Sequence, residues 1–142
     1  MNEARLRDTL RVLCRIPIER GQLVVYRLAV EHPEAGFTRT QVRGLLGFDQ
    51  AQHRGLMAAL TVRINNTPSE TSPDAKPGLG LLFEQTWSNK YTYRAHPELL
   101  EALRQLPDLA ALMQRPIDDV VATGRIAPVL PMSVPARPDA PV

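Results

Sequence analysis

Residues 36–65, GFTRTQVRGLLGFDQAQHRGLMAALTVRIN, decide how this chain folds. Thr38 and Gln41 stand at the spacing with which side chain and backbone satisfy one another at a helix start, and Phe37 with Val42 has the spacing of an apolar staple across that start. The helix they open stops at Gly47, because glycine accepts the left-handed backbone of a helix end. Asp49 and Gln52 then repeat the capping spacing and open a second helix over about 50–65. Two helices joined by a tight turn at 47–49 result. At 100° per residue, Leu56, Ala59, Leu60, Ile64 and the stem of Arg63 point to one side of the second helix. The opposite side carries Gln50, Ala51, Arg54, Ala58, Thr61 and Asn65.

Upstream, Leu6, Leu10 and Leu13 recur at helical spacing until Pro17 stops the segment, and a more apolar helix over about 19–32 ends before Pro33. Downstream, TPSETSPDAKPG at 67–78 is polar and proline-rich and is expected as an exposed loop. GLGLLFEQTWSNKYTYR reads as a hairpin with its tip at Ser88, Asn89 and Lys90, and Tyr91 and Tyr93 alternate along the return strand. Pro97 suits a first helical position, and Leu99, Leu100, Leu103, Leu106, Leu109 and Leu112 form an apolar stripe through a break at Pro107. From 114 onward come Pro116, Pro128, Pro131, Pro135, Pro138 and Pro141, so 114–142 is expected as a proline-rich, flexible tail in which only IDDVVATG at 117–124 can make a helical turn. The expected organisation is one domain over 1–113, with an N-terminal helix at 1–17, a core at 18–95 and a C-terminal helix at 96–113.

The order helix, helix, tight turn, helix, hairpin, closing helix resembles the winged helix-turn-helix superfamily of DNA-binding domains over roughly residues 18–106. The GFTRTQVRGLLGF segment resembles that superfamily's second helix and turn, and the aromatic hairpin resembles its wing. The resemblance implies an α+β, mostly α fold with an N-terminal helix, a β-hairpin wing, a C-terminal helix and a proline-rich tail. It also implies a recognition helix at about 50–65 that reads the major groove of duplex DNA.

The residues themselves suit that role. Ala51, Gly55 and Ala58 let a surface approach closely, with Gln50 and Arg54 projecting beside them; Gln pairs with adenine and Arg with guanine through two hydrogen bonds each. Gln50, Arg54, Ala51 and Thr61 are therefore the candidate base-contacting residues, with Asn65 and Arg63 at the far end capping or positioning. Arg39, Thr40, Arg43, Asn89 and Lys90 are the candidates for the DNA backbone, and Lys76 in the long loop is a further one. The charge lies where this requires: residues 38–66 carry Arg39, Arg43, Arg54 and Arg63 against Asp49 alone, and all of the 17 basic residues except Lys76 and Lys90 are arginine. The net charge is nonetheless only +2. Trp87, Tyr91 and Tyr93 suit stacking on bases, but alternation of this kind is what a half-buried strand needs, and they are expected to pack against the core.

Other classes find little support. The single Cys14 permits neither an internal disulfide nor a cysteine zinc cluster, and His32, His53 and His96 lack the spacing of common metal motifs, so no metal or cofactor is expected. Nor is a catalytic constellation visible, and the chain is expected not to be an enzyme. At 142 residues it has no apolar run near the roughly 18 of a membrane span, and a cytoplasmic location is expected. These readings converge on a homodimeric transcription regulator that binds double-stranded DNA at a palindromic site. The six leucines of 99–112 are its expected dimer interface, with the helix over 3–16 as an additional candidate. The rival is a winged-helix adaptor that binds protein rather than DNA, its proline-rich tail docking on a partner.

Overall fold

The computed structural model describes residues 1–88 and 90–129. Seven helices and one two-stranded antiparallel sheet appear among them, an α+β fold that is mostly α: α1 Glu3–Arg15, α2 Arg20–Glu31, α3 Arg39–Leu46, α4 Gln50–Asn65, β1 Phe83–Trp87, β2 Tyr91–Ala95, α5 Pro97–Gln105, α6 Pro107–Met113 and α7 Ile117–Ala122. Helix α2 is the centre. Gln22 to Tyr26, Leu28 and Ala29 are all buried, so this helix is enclosed on nearly every side by its neighbours.

Both capping boxes form as the spacing predicts. Thr38 accepts from the Gln41 backbone while Gln41 accepts from the Thr38 N–H at 2.8 Å; Asp49 accepts from Gln52 N at 2.7 Å while Gln52 accepts from the Asp49 N–H at 2.9 Å. Between the boxes Gly47 adopts φ 68°, and its N–H and that of Phe48 both reach the Arg43 carbonyl. This turn sets α4 against α3.

The hairpin is anchored at its base. Phe83 and Ala95 face each other there, both buried, and Phe37 and Tyr93 exchange two backbone hydrogen bonds of 2.8 Å. Phe37, Phe83 and Tyr93 form an aromatic cluster with centroids 5.7 to 6.3 Å apart. Gly36 permits this approach: at φ 78° it is left-handed, and a Cβ there would sit 2.6 Å from the Tyr93 carbonyl oxygen. The loop over 67–78 is largely exposed as expected, and it is held to α1 because Asp8 accepts from the Glu70 N–H and the Ser69 hydroxyl.

Three expectations are corrected. First, Leu99, Leu103, Leu106 and Leu109 are at most 1% exposed within the single chain, so they are core and not a dimer surface; only Leu100 and Leu112 remain half-buried. Pro107 is the reason, since it follows an extended Leu106 and divides the stripe into α5, which packs on α1, and α6, which packs on α2. The apparent leucine excess serves two core faces. Second, the folded body runs past residue 113: α7 packs on α2, Val120 is fully buried, and Ile126 pairs with Ile18 through backbone bonds of 2.6 and 3.0 Å. The proline-rich remainder at 130–142 lies outside the described residues. Third, the inward side of α4 holds Leu60, Arg63 and Ile64 as expected, but Met57 and His53 complete it, while Leu56 is only half-buried and Ala59 is exposed.

Candidate nucleic-acid interface

Helix α4 presents Gln50, Ala51, Arg54, Gly55 and Ala58 to solvent from its first half. Gly55 has nothing within 4 Å of where a Cβ would stand, so this face is low and open, as close approach to a surface requires. On α3, Arg39 and Thr40 are exposed at the start of the helix. Arg43 is half-buried, and its Nε donates to the Phe48 carbonyl at 3.3 Å, which steadies the turn between the helices. Thr40, Arg43, Gly44, Gly47 and Phe48 line a shallow concavity beside that turn. The two helices thus bring Arg39, Thr40 and Arg43 to one edge, next to the helix that carries Gln50 and Arg54.

His53 also belongs to α4. It is 4% exposed on the inner side of α4, and burial together with the positive charges of Arg39 and Arg43 holds its imidazole below the ordinary histidine value. It is therefore neutral at pH 7 and leaves the arginines as the charges of this face.

Those arginines lack carboxylate partners. Among the described residues, Arg5, Arg7, Arg27, Arg94, Arg115 and Arg125 each pair with an acid, at Glu98, Glu70, Glu31, Glu84, Asp119 and Glu19. Arg15, Arg20 and Arg63 pair with no acid and donate to backbone carbonyls instead. Arg39, Arg43 and Arg54 likewise pair with no acid among the described residues, and the one acid of this stretch, Asp49, is occupied with capping α4. The positive charge is left free where α3 and α4 meet.

Thr61 does not join this face. Its hydroxyl donates to the Met57 carbonyl at 2.9 Å, and its methyl lies beneath the turn that opens at Gly78, so it is half-buried and withdrawn from any base-contacting role. Asn65 likewise turns inward, accepting from Gly78 N at 2.8 Å. Arg63 is 3% exposed, and its guanidinium donates to the carbonyls of Val12, Ile16 and Pro17 at 2.5 to 2.8 Å, closing the C-terminal end of α1. The far end of α4 is a scaffold.

The hairpin holds a second difference. Tyr93 packs on Phe37 as expected, but Trp87 and Tyr91 are 62% and 44% exposed, so the expectation that they join the core is overturned. The cause is strand length: Phe83 and Ala95 are buried at the base, and the Trp87–Tyr91 pair lies at the far end of the five-residue strands, beyond the body. Lys90 is exposed beside them, while Asn89 lies outside the described residues.

Among the described residues no three His, Cys, Asp or Glu side chains gather to hold a metal ion, and no helix is long and apolar enough to cross a membrane. Comparison finds no family model that matches the chain, and neither a curated protein nor a solved structure that matches it.

Proposed function

We propose that this chain is a winged helix-turn-helix module that binds double-stranded DNA in a sequence-specific way and regulates transcription, with α4 in the major groove. The observation that carries the reading is the acid-free edge: among the described residues Arg39, Arg43 and Arg54 are without carboxylate partners while eight arginines elsewhere are paired with acids, and they flank an open helix face bearing Gln50 and Ala51. A polyanion supplies the missing negative charge, and a low helix face admits base edges. In this reading Gln50 and Arg54 read bases, Ala51 permits the approach, and Arg39, Thr40, Arg43 and Lys90 contact phosphates. The catalytic role is nil, and no cofactor takes part. Pairing of two chains on a palindrome remains part of the proposal, through surface other than the buried leucines.

Selection from a pool of genomic duplex fragments at about 50 and 200 mM salt tests it. The expected result is one enriched short sequence whose affinity falls steeply with salt. The double variant Gln50→Ala/Arg54→Ala is expected to lose that preference, and Arg39→Ala to weaken all sequences alike while lowering the salt slope by about one. Retention of no duplex at either salt overturns the reading in favour of an adaptor that binds protein.

A further inference from the structure

The hairpin's core-side face runs from the body to its end as the pairs Phe83–Ala95, Gln85–Tyr93 and Trp87–Tyr91, because side chains two residues apart share a face. Phe83 and Ala95 are buried, Tyr93 is half-buried beside an exposed Gln85, and the last pair is left to solvent on both strands. The two rings lie against one another with centroids 4.7 Å apart at 57°, which steadies them and leaves much of the indole open outward. Exposed aromatic area of this kind costs hydrophobic free energy unless something covers it.

The charge around the pair indicates what covers it. Glu84, on the opposite face, is closed by Arg94 at 2.6 Å, so no free carboxylate remains on the strands, and Lys90 stands exposed at the turn. Toward the body, Tyr93 on the same face exchanges backbone hydrogen bonds with Phe37, two residues before Arg39 begins the acid-free edge of α3. An apolar platform with a lysine beside it and no free carboxylate on its strands suits a ligand that is flat, π-faced and anionic.

We propose that Trp87 and Tyr91 form a stacking platform for an unpaired nucleobase, so that the protein favours a duplex carrying a single-stranded extension over a blunt one. The platform rests on the nucleic-acid reading above and extends it from the duplex to an unpaired end. Aromatic stacking is tolerant of base identity, so the duplex portion sets the sequence while the extension adds affinity.

Trp87 is the chain's one tryptophan, and its emission reports on the platform directly. The full chain is titrated at about 50 mM salt with a blunt duplex, with the same duplex bearing a short thymidine extension, and with oligothymidylate alone. Quenching is expected with the extended duplex and with oligothymidylate but not with the blunt form, and the extended duplex should bind roughly tenfold tighter. Trp87→Ala, followed by anisotropy of labelled DNA, and Tyr91→Ala, followed by Trp87 emission, should each remove the preference, whereas Trp87→Phe retains part of it. Both side chains face solvent, so the variants are expected to melt as the parent does. Equal affinity for the two duplexes, or a preference that survives in both alanine variants, overturns the platform. If the blunt duplex still binds in a manner that needs Arg54, the platform alone has failed. Quenching by oligothymidylate without any duplex binding upholds the platform and overturns the duplex reading. Absence of quenching by all three forms overturns the platform and leaves the aromatic pair for a protein surface.

Discussion

Arg63 shows how one side chain changes meaning between sequence and fold. In the helical pattern of α4 it is a core-side stem with a charged end at the far side of the helix. In the structure that end supplies three donors to the carbonyls of Val12, Ile16 and Pro17 and joins α4 to the end of α1. Arg63→Ala leaves those carbonyls without a partner and is expected to cost about 3 kcal/mol in urea denaturation. Arg63→Lys should recover little, because an ammonium cannot span a planar fork of acceptors. His53 yields a pH prediction. Burial, then Arg39 and Arg43, lowers its folded-state pKa from 6.5, so the unfolded chain takes up a proton that the folded chain refuses. Its contribution is therefore fully present above about 6.5 and is lost as pH falls below that value. Denaturation midpoints at pH 7.5 and 5.5 should differ less in His53→Gln than in the parent, whatever other groups titrate.

At the scale of elements, the unit α3, turn, α4 was legible because its signals are local: two capping spacings and a glycine each act within a few residues. Asp49 allows capping and surface charge to be separated. Asp49→Ser retains a capping oxygen but deletes the one carboxylate of 38–66, so stability should change by under about 1 kcal/mol while the proposed duplex binding tightens a few-fold. Asp49→Ala removes both and should lower stability by about 1 kcal/mol, a difference that thermal denaturation of the pair detects. The hairpin's existence was equally legible, from alternation and a polar tip. Its height above the body was not, because that depends on where Phe37 docks on Tyr93. Gly36→Ala tests the docking. Left-handed backbone and a contact of 2.6 Å with the Tyr93 oxygen should together cost about 2 kcal/mol, with loss of the Phe37–Tyr93 amide protection in hydrogen exchange.

For the whole molecule, the leucines of 99–112 are the instructive case. Six leucines in one stripe exceed the needs of a single packing face, which is a sound argument for a second surface. The second surface turns out to belong to the same chain, since α5 and α6 diverge at Pro107 toward α1 and α2. Leu103→Ala is accordingly expected to destabilise by about 3 kcal/mol, independent of protein concentration from micromolar to millimolar. A destabilisation that grew on dilution would restore these leucines to an interface between chains. Removal of residues after Met113 should likewise lower the melting temperature, because it exposes the α2 surface covered by Val120 and breaks the Ile18–Ile126 pairing.

What the sequence determined by itself is the helices through 113 with the break at Pro107, the caps of α3 and α4, the tight turn, the hairpin and the arginine excess of 38–66. Each of these follows from neighbours within a turn or a strand, where the chain's own periodicity and capping chemistry are sufficient. Only the tertiary structure decided that four of the leucines are core, that residues 117–126 belong to the body, that Thr61 turns inward and that Trp87 and Tyr91 project into solvent. These outcomes depend on contacts between segments far apart in the chain, such as Ile18 with Ile126 and Phe37 with Tyr93, and no local pattern encodes which distant surface arrives to cover a given side chain.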